Sequence, residues 1–521
     1  MTLVLGLLAC AIALSLVARW FRVPYPIALV LGGLALGFMP DLPRVGIDPA
    51  LTLSLILPPI LYQAAIFTSW RDFRANWRPI AILAISLVLV TAAAVAVVVK
   101  LLIPGMPWAV AFVLGAIVSP SDAVAATAVM RHLNIPRRII TIIEGESLLN
   151  DAAGLVLYKF ALVAVLTGMF SLPAAIGEFA LVGLGGVALG AAAGWVSVQI
   201  QRVIADPPSE ITLSLGLPFA VFLAAEEAHV SAVVAVVAAG LVRGWYSPQT
   251  FSAQTRIQAH TVWDIVVFLI NIVVFILIGL ELPRALDALT AQSPLTLVGW
   301  AAAVSATVIV VRFVWVFRAT YLEGLVFRQI RREGRRPKLS SVVVVAWSGM
   351  RGVVSLVIAL ALPLNTQQGD PFPYRELVIF LSYAVILVTL VLQGLTLGPL
   401  IRLLRVGADS DERAEERVAR TKTIHAAMVE IERRCALADG DIPHAVAKTI
   451  REDYAHRLRD VEVRYGDQES GATPGPLRDI RLSAIAAARR RLWKLRRDGE
   501  IGDEVMLRIQ RELDLEEVRL G

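Results

Sequence analysis

From Thr2 to Leu404 the apolar positions fall into long runs separated by charged or Pro/Gly-rich joints. Runs of about 17 to 25 residues are what an α-helix needs to cross about 30 Å of hydrocarbon, since each residue advances about 1.5 Å. Dividing at the joints predicts thirteen spans, near residues 2–18, 25–38, 49–66, 79–103, 108–130, 138–166, 174–200, 211–225, 229–242, 261–281, 294–317, 340–362 and 376–404. The second, eighth and ninth are the shortest. No basic residue precedes the first run, whereas Arg19 and Arg22 follow it, the reverse of a secretory signal. Despite a faint lipoprotein-like box at Leu7-Leu8-Ala9-Cys10, the run is read as a retained helix with its N-terminus outside.

Composition leads the same way: 57% of residues are apolar, only 18% are charged and the mean hydropathy is +0.69, which excludes a single soluble domain. The net charge of +6 is unevenly divided. Residues 1–405 carry 27 Lys and Arg against 19 Asp and Glu, while 406–521 carry 22 against 24. The basic surplus therefore belongs to the loops of a membrane part, with no call for a nucleic-acid partner. Loops after odd-numbered spans hold 18 Lys and Arg, Arg243 among them, and the opposite loops hold 4. Short cytoplasmic loops collect basic residues, so the C-terminal tail is expected in the cytoplasm. Cys10 and Cys435 fall in different phases, and a disulfide between them is not expected.

The chain divides into a transmembrane domain, 1–405, and a charged, amphipathic tail, 406–521, with helical spacing and breaks near Gly440–Pro443 and Gly466–Pro476. The basic cluster Arg489 to Arg497 either presses on anionic lipid or pairs with neighbouring acids.

Ionisable residues inside a membrane span are costly and each asks for a reason. In the fifth span Ser119-Pro120-Ser121-Asp122 interrupts an apolar helix; proline removes a donor and leaves carbonyls unpaired, which is tolerated where the backbone lines a cavity. A simple kink capped by Asp122 would give the same local pattern. In the sixth span Ser147, Asn150 and Asp151 stand at i, i+3 and i+4, two neutral oxygens and a carboxylate on one face. Such a face offers hard oxygen ligands to a small cation and has no His or Cys for a transition metal. Pairing with Arg or Lys elsewhere would account for Glu144 and Glu146, less so for Asp151. The twelfth span has a second polar break, Trp347-Ser348-Gly349-Met350-Arg351-Gly352. Breaks in the fifth and twelfth spans, seven apart, predict two inverted repeats whose broken helices cross near mid-membrane, as in secondary transporters.

Ser119–Val124, Glu144–Asp151, Leu57-Pro58-Pro59-Ile60-Leu61 and Gly349-Met350-Arg351-Gly352, with Asn271 and Gly279-Leu280-Glu281-Leu282, resemble in kind and order the signatures of the sodium/proton exchanger family, bacterial NhaP-like and eukaryotic NHE-like. The resemblance covers about residues 1–405. It implies that Asp151 binds ion and proton, with Asn150 its neutral neighbour, and that Ser147 and the backbone around Ser121 help coordinate the ion. It further implies a Glu146–Arg351 bridge, Asp122 compensating half-helix ends, a homodimer, and a core moving against a scaffold. Many members carry an acid shortly after the Pro-Pro pair, where this chain has Tyr62-Gln63; Gln63 can still coordinate through its carbonyl.

The sequence thus reads as an all-α polytopic membrane protein with a helical cytoplasmic tail, a plasma-membrane antiporter and not an enzyme. It would exchange Na⁺ or Li⁺ for H⁺ electroneutrally by alternating access, without a cofactor, in the service of pH and sodium homeostasis. A K⁺/H⁺ antiporter and a cation channel are the alternatives. A hydrolase using Ser147 has little support, because none of the six His lies in its span.

Overall fold

Helices occupy every predicted apolar run in the computed structural model, which describes residues 2–21, 24–39, 49–130, 133, 135–168, 172–204, 206–250, 253–287, 289, 292–326, 338–407, 410–437, 444–465, 474–498, 509–510 and 512–517. Arg22, Arg44, Arg131 and the basic stretch 327–337, which carry part of the loop-charge expectation, lie outside the described residues, as does the tail break at 440–443 and most of that at 466–476. Among the described residues the β pairing is a single isolated bridge, Asn365 with Pro371.

Helices α1 to α3 are Thr2–Phe21, Tyr25–Gly37 and Pro49–Ile66. Short α4 (Trp70–Ala75), where Ser69 accepts the Asp72 amide, leads into α5 (Trp77–Leu102). The fifth predicted span is two helices, α6 (Trp108–Val118) and α7 (Ala123–Met130). Then come α8 (Arg137–Thr167), α9 (Leu172–Val203), α10 (Pro207–Glu227), α11 (Ala232–Thr250), α12 (Ala253–Asp287) and α13 (Pro294–Val326). The twelfth is again divided, into α14 (Leu339–Trp347) and α15 (Val353–Leu360), before α16 (Arg375–Leu403). Among the described residues eight segments are long and apolar enough to cross a membrane, and three shorter apolar helices accompany them. The protein is a multi-pass membrane protein.

Local chemistry sets these boundaries. Pro136 precedes α8, and Gly168 ends it in the left-handed region (φ 69°), which a residue with a side chain rarely adopts. One π turn in α5, Ile82–Ser86, and one in α16, Thr389–Gln393, each widen the helix locally.

Helices α1 to α3 and α9 to α12 pack mainly on one another, and α5 to α8 with α13 to α16 form a second group. The boundary between the two groups holds the polar residues of interest. One loop-charge assignment is corrected here: α11 runs past the predicted end of the ninth span and buries Arg243 completely, so this residue is no loop cation.

The chain forms two compact units, Met1–Ala408 and Asp409–Gly521. The second contains α17 (Ser410–Leu437), α18 (His444–Tyr465) and α19 (Pro474–Arg497). In it Arg489 pairs with Asp514 and Glu517, which favours the acid-paired reading for that member of the basic cluster.

Candidate cation-binding site

Two helix breaks meet at the centre of this site. Between α6 and α7 the residues Ser119 to Asp122 are unwound, and between α14 and α15 so are Ser348 to Gly352. They are joined through the backbone, the Asp122 N–H donating to the Met350 carbonyl at 2.7 Å. Each break exposes helix ends, carbonyls at the C-terminus of α6 and α14 and amides at the N-terminus of α7 and α15.

Charged side chains answer those ends in sign. Arg351, fully buried, donates from Nε to the Val118 carbonyl at 2.9 Å, from Nη2 to Ser119 at 3.3 Å, and from Nη1 to Gly349. Its own amide donates to Thr389 Oγ1 at 3.1 Å, inside the π turn of α16. Asp122 accepts the Val124 N–H at 2.7 Å at the start of α7, and the Val353 amide at the start of α15 is also within its reach. Asp122 therefore sits at the N-termini of both half-helices.

The inferred Glu146–Arg351 bridge is corrected by the structure. Glu146 binds Arg312 of α13 instead, with Nη1 to Oε1 at 2.5 Å and Nη2 to Oε2 at 2.9 Å, both side chains 1% exposed. The reason is local: the Arg351 guanidinium is committed to the α6 carbonyls. Arg312 Nη2 also donates to the Val345 carbonyl at 3.1 Å, so the second arginine serves the end of α14. Arg312 was not singled out from the sequence. Its signal was available, a lone cation within the apolar run Val308 to Val316.

Ser121 and Asn150 form the adjoining layer. Ser121 Oγ donates to Glu146 Oε1 at 2.8 Å, and Asn150 Nδ2 donates to the Ser121 carbonyl at 3.1 Å and hydroxyl at 2.9 Å. Ser147 Oγ accepts the Ala123 N–H at 3.1 Å. Gly154, one turn beyond Asp151, lets the break lie against α8: a Cβ there would come within 2.4 Å of Pro120 Cγ.

A cavity of about 1320 Å³ lies in front of this layer, and Gln63, Ser121, Asp122, Ser147 and Asp151 all line it. Asp151 is 8% exposed, and among the described residues no hydrogen bond or ion pair engages its carboxylate. Asn150 is not among the lining residues; it braces the unwound segment from behind. The cavity also touches Tyr25, Thr68, Leu133 and Arg402, at the ends of spans, and Asp264 and Asn271 of α12 line it as well.

This arrangement of two crossed breaks and one unengaged carboxylate coincides with a match of the family described as sodium/hydrogen exchanger, transmembrane, over residues 5–403. The chain belongs to the sodium/hydrogen exchanger family. An uncharacterized Na⁺/H⁺ exchanger of Mycobacterium tuberculosis is 37% identical over 530 residues, covering 100% of this chain and 96% of that one. A sodium, potassium, lithium and rubidium/H⁺ antiporter of Bacillus subtilis is 31% identical over 407 residues, covering 76% of this exchanger-family chain and 60% of its own. The sodium proton antiporter MjNhaP1 of Methanocaldococcus jannaschii shares the fold with a TM-score of 0.60 at 17% identity, covering 78% of this chain and 99% of that one.

Proposed function

We propose that the protein exchanges one monovalent cation for one proton at Asp151, by alternating access, in the plasma membrane. The observation that carries this reading is the Asp151 carboxylate, buried in a cavity wall with no partner among the described residues. An uncompensated buried charge is expensive, so such a group is held neutral by a proton or by a bound cation. Both loaded forms are then neutral and the exchange is electroneutral. Gln63 and Ser147 supply neutral oxygens beside it, and Asn150 holds the Ser121 segment in shape. The family and the tight layer of charges around the crossing favour a carrier over a channel.

The loop-charge bias makes the side bearing Tyr25, Thr68 and Arg402 cytoplasmic, which makes the cavity an inward-facing vestibule. The two broken helices are the counterparts of two inverted repeats, and a homodimer is the assembly the family resemblance implies. Na⁺ or Li⁺ is the cargo proposed first. K⁺ stands as the second reading, because a relative's name includes it. Sodium and pH homeostasis follow as the cellular role.

The test is Asp151→Asn in proteoliposomes carrying a pH-sensitive dye. Exchange with Na⁺, Li⁺ and K⁺ should vanish while the purified variant melts as the wild type does. Residual exchange would move the transport site elsewhere.

A further inference from the structure

Helix α12 contributes a stripe of residues to the cavity that Asp151 also lines. Thr261, Asp264, Phe268 and Asn271 all line the cavity and follow one another at intervals of three, four and three residues, which places them on one helix face. Asn271 is the deepest. It is 1% exposed, and its Oδ1 has no hydrogen-bond partner among the described residues. A buried amide oxygen is nearly always satisfied, so an unpaired one on a residue that lines a cavity points to a ligand.

Gln63 aside, the neutral oxygens proposed for the ion are already engaged. Ser121 Oγ donates to Glu146, the Ser121 carbonyl accepts from Asn150, and Ser147 Oγ already accepts the Ala123 amide. A hard cation that sheds water needs several oxygens in replacement. Asn271 can offer one from the opposite helix group, and as a neutral amide it adds a ligand without adding a second proton carrier.

We propose that Asn271 is a cation ligand supplied across the cavity, and that it sets the preference among monovalent cations. Smaller, more strongly hydrated ions depend most on a complete set of ligands, so Asn271 favours Li⁺ and Na⁺ over K⁺. This inference rests on Asp151 being the transport site, and the experiment separates the two.

Full-length wild type, Asn271→Ala, Asn271→Gln and Asp151→Asn are compared in proteoliposomes over a range of Na⁺, Li⁺ and K⁺ concentrations. Asn271→Ala should raise the apparent KM for Na⁺ and Li⁺ at least fivefold, raise that for K⁺ less, and leave the maximal rate within about twofold. Asn271→Gln, which keeps the amide, should recover part of the loss. An unchanged KM and ion ranking in Asn271→Ala would overturn the proposal. So would a fall in maximal rate and thermal stability with KM unaltered, which would make Asn271 a packing residue. Activity in Asp151→Asn would remove the underlying site, an outcome distinct from either.

Discussion

Glu146 and Arg312, 166 residues apart, face each other through two charge-assisted hydrogen bonds in a space that excludes solvent. Buried pairs of this kind add little net stability over an apolar pair, but removing one partner strands the other at a cost of about 3–5 kcal/mol. Arg312→Ala should therefore lower the melting temperature and yield in detergent. Glu146→Gln combined with Arg312→Gln should regain part of the loss. A double-mutant cycle on Glu146 and Arg312 should give a coupling of about 2 kcal/mol or more. The corresponding cycle on Glu146 and Arg351 should give clearly less, since Arg351 is tied to main-chain carbonyls and not to that carboxylate. Equal couplings would restore the bridge inferred from the sequence.

Gly154 provides a test of how the break is seated. A methyl group there would meet the rigid Pro120 ring at 2.4 Å, so Gly154→Ala must displace the Ser119–Asp122 segment. We expect a cost of about 1–3 kcal/mol and a lower maximal exchange rate. Gly299→Ala in α13, where nothing lies within 4 Å, is the matched control. Its melting temperature should be unchanged or slightly higher, because alanine favours helix over glycine.

Competition between proton and cation for one carboxylate has a definite pH signature. Lowering the pH fills Asp151 with protons, so the apparent KM for Na⁺ should rise, approaching tenfold per pH unit once protonation dominates. The maximal rate under saturating Na⁺ should change far less. Imposed membrane potentials should leave the initial rate unaltered, because in the exchange proposed above one positive charge moves each way. A rate that follows voltage would reveal an unequal stoichiometry and overturn the single-carboxylate mechanism.

Every described residue that lines the cavity belongs to the first unit, the last of them being Arg402. Terminating the chain near Val406 should leave exchange measurable while shifting its rate or pH profile. Absence of exchange in a well-inserted truncated protein would make the tail part of the minimal transporter. A reporter fused after Gly521 should be cytoplasmic and one at Met1 external.

Much of this was legible from the sequence because membrane burial penalises anything that is not apolar helix. Pro120 announced the first break by its missing donor, and the Gly349 to Gly352 segment announced the second. The Ser147, Asn150, Asp151 triplet was legible as a helix face, but not how it divides: Asp151 lines the cavity while Asn150 is spent on Ser121. That division depends on which neighbour sits behind α8, a tertiary fact with no local signal. The partner of Glu146 was misread for a related reason. Two arginines, 312 and 351, were chemically able to serve, and only the position of the α6 and α14 carbonyl ends decides between them. Arg243 was assigned to a loop because hydropathy falls there, and hydropathy cannot distinguish a helix end in water from a cation folded into the interior.

The single backbone hydrogen bond from Asp122 to Met350 constrains what motion this molecule can make. No side-chain substitution removes it directly, since both its atoms belong to the main chain. Pulling the two breaks apart would strand the carbonyl of Met350, a residue 1% exposed, and leaving a buried polar group unpaired is costly. The four half-helices are thus tied at their crossing and would travel as one block. In the alternating-access cycle proposed above, a stroke that exposes Asp151 to the other side of the membrane would then be taken up where the block meets its neighbours, α15 against α3 and α12 among them, and not at the crossing itself.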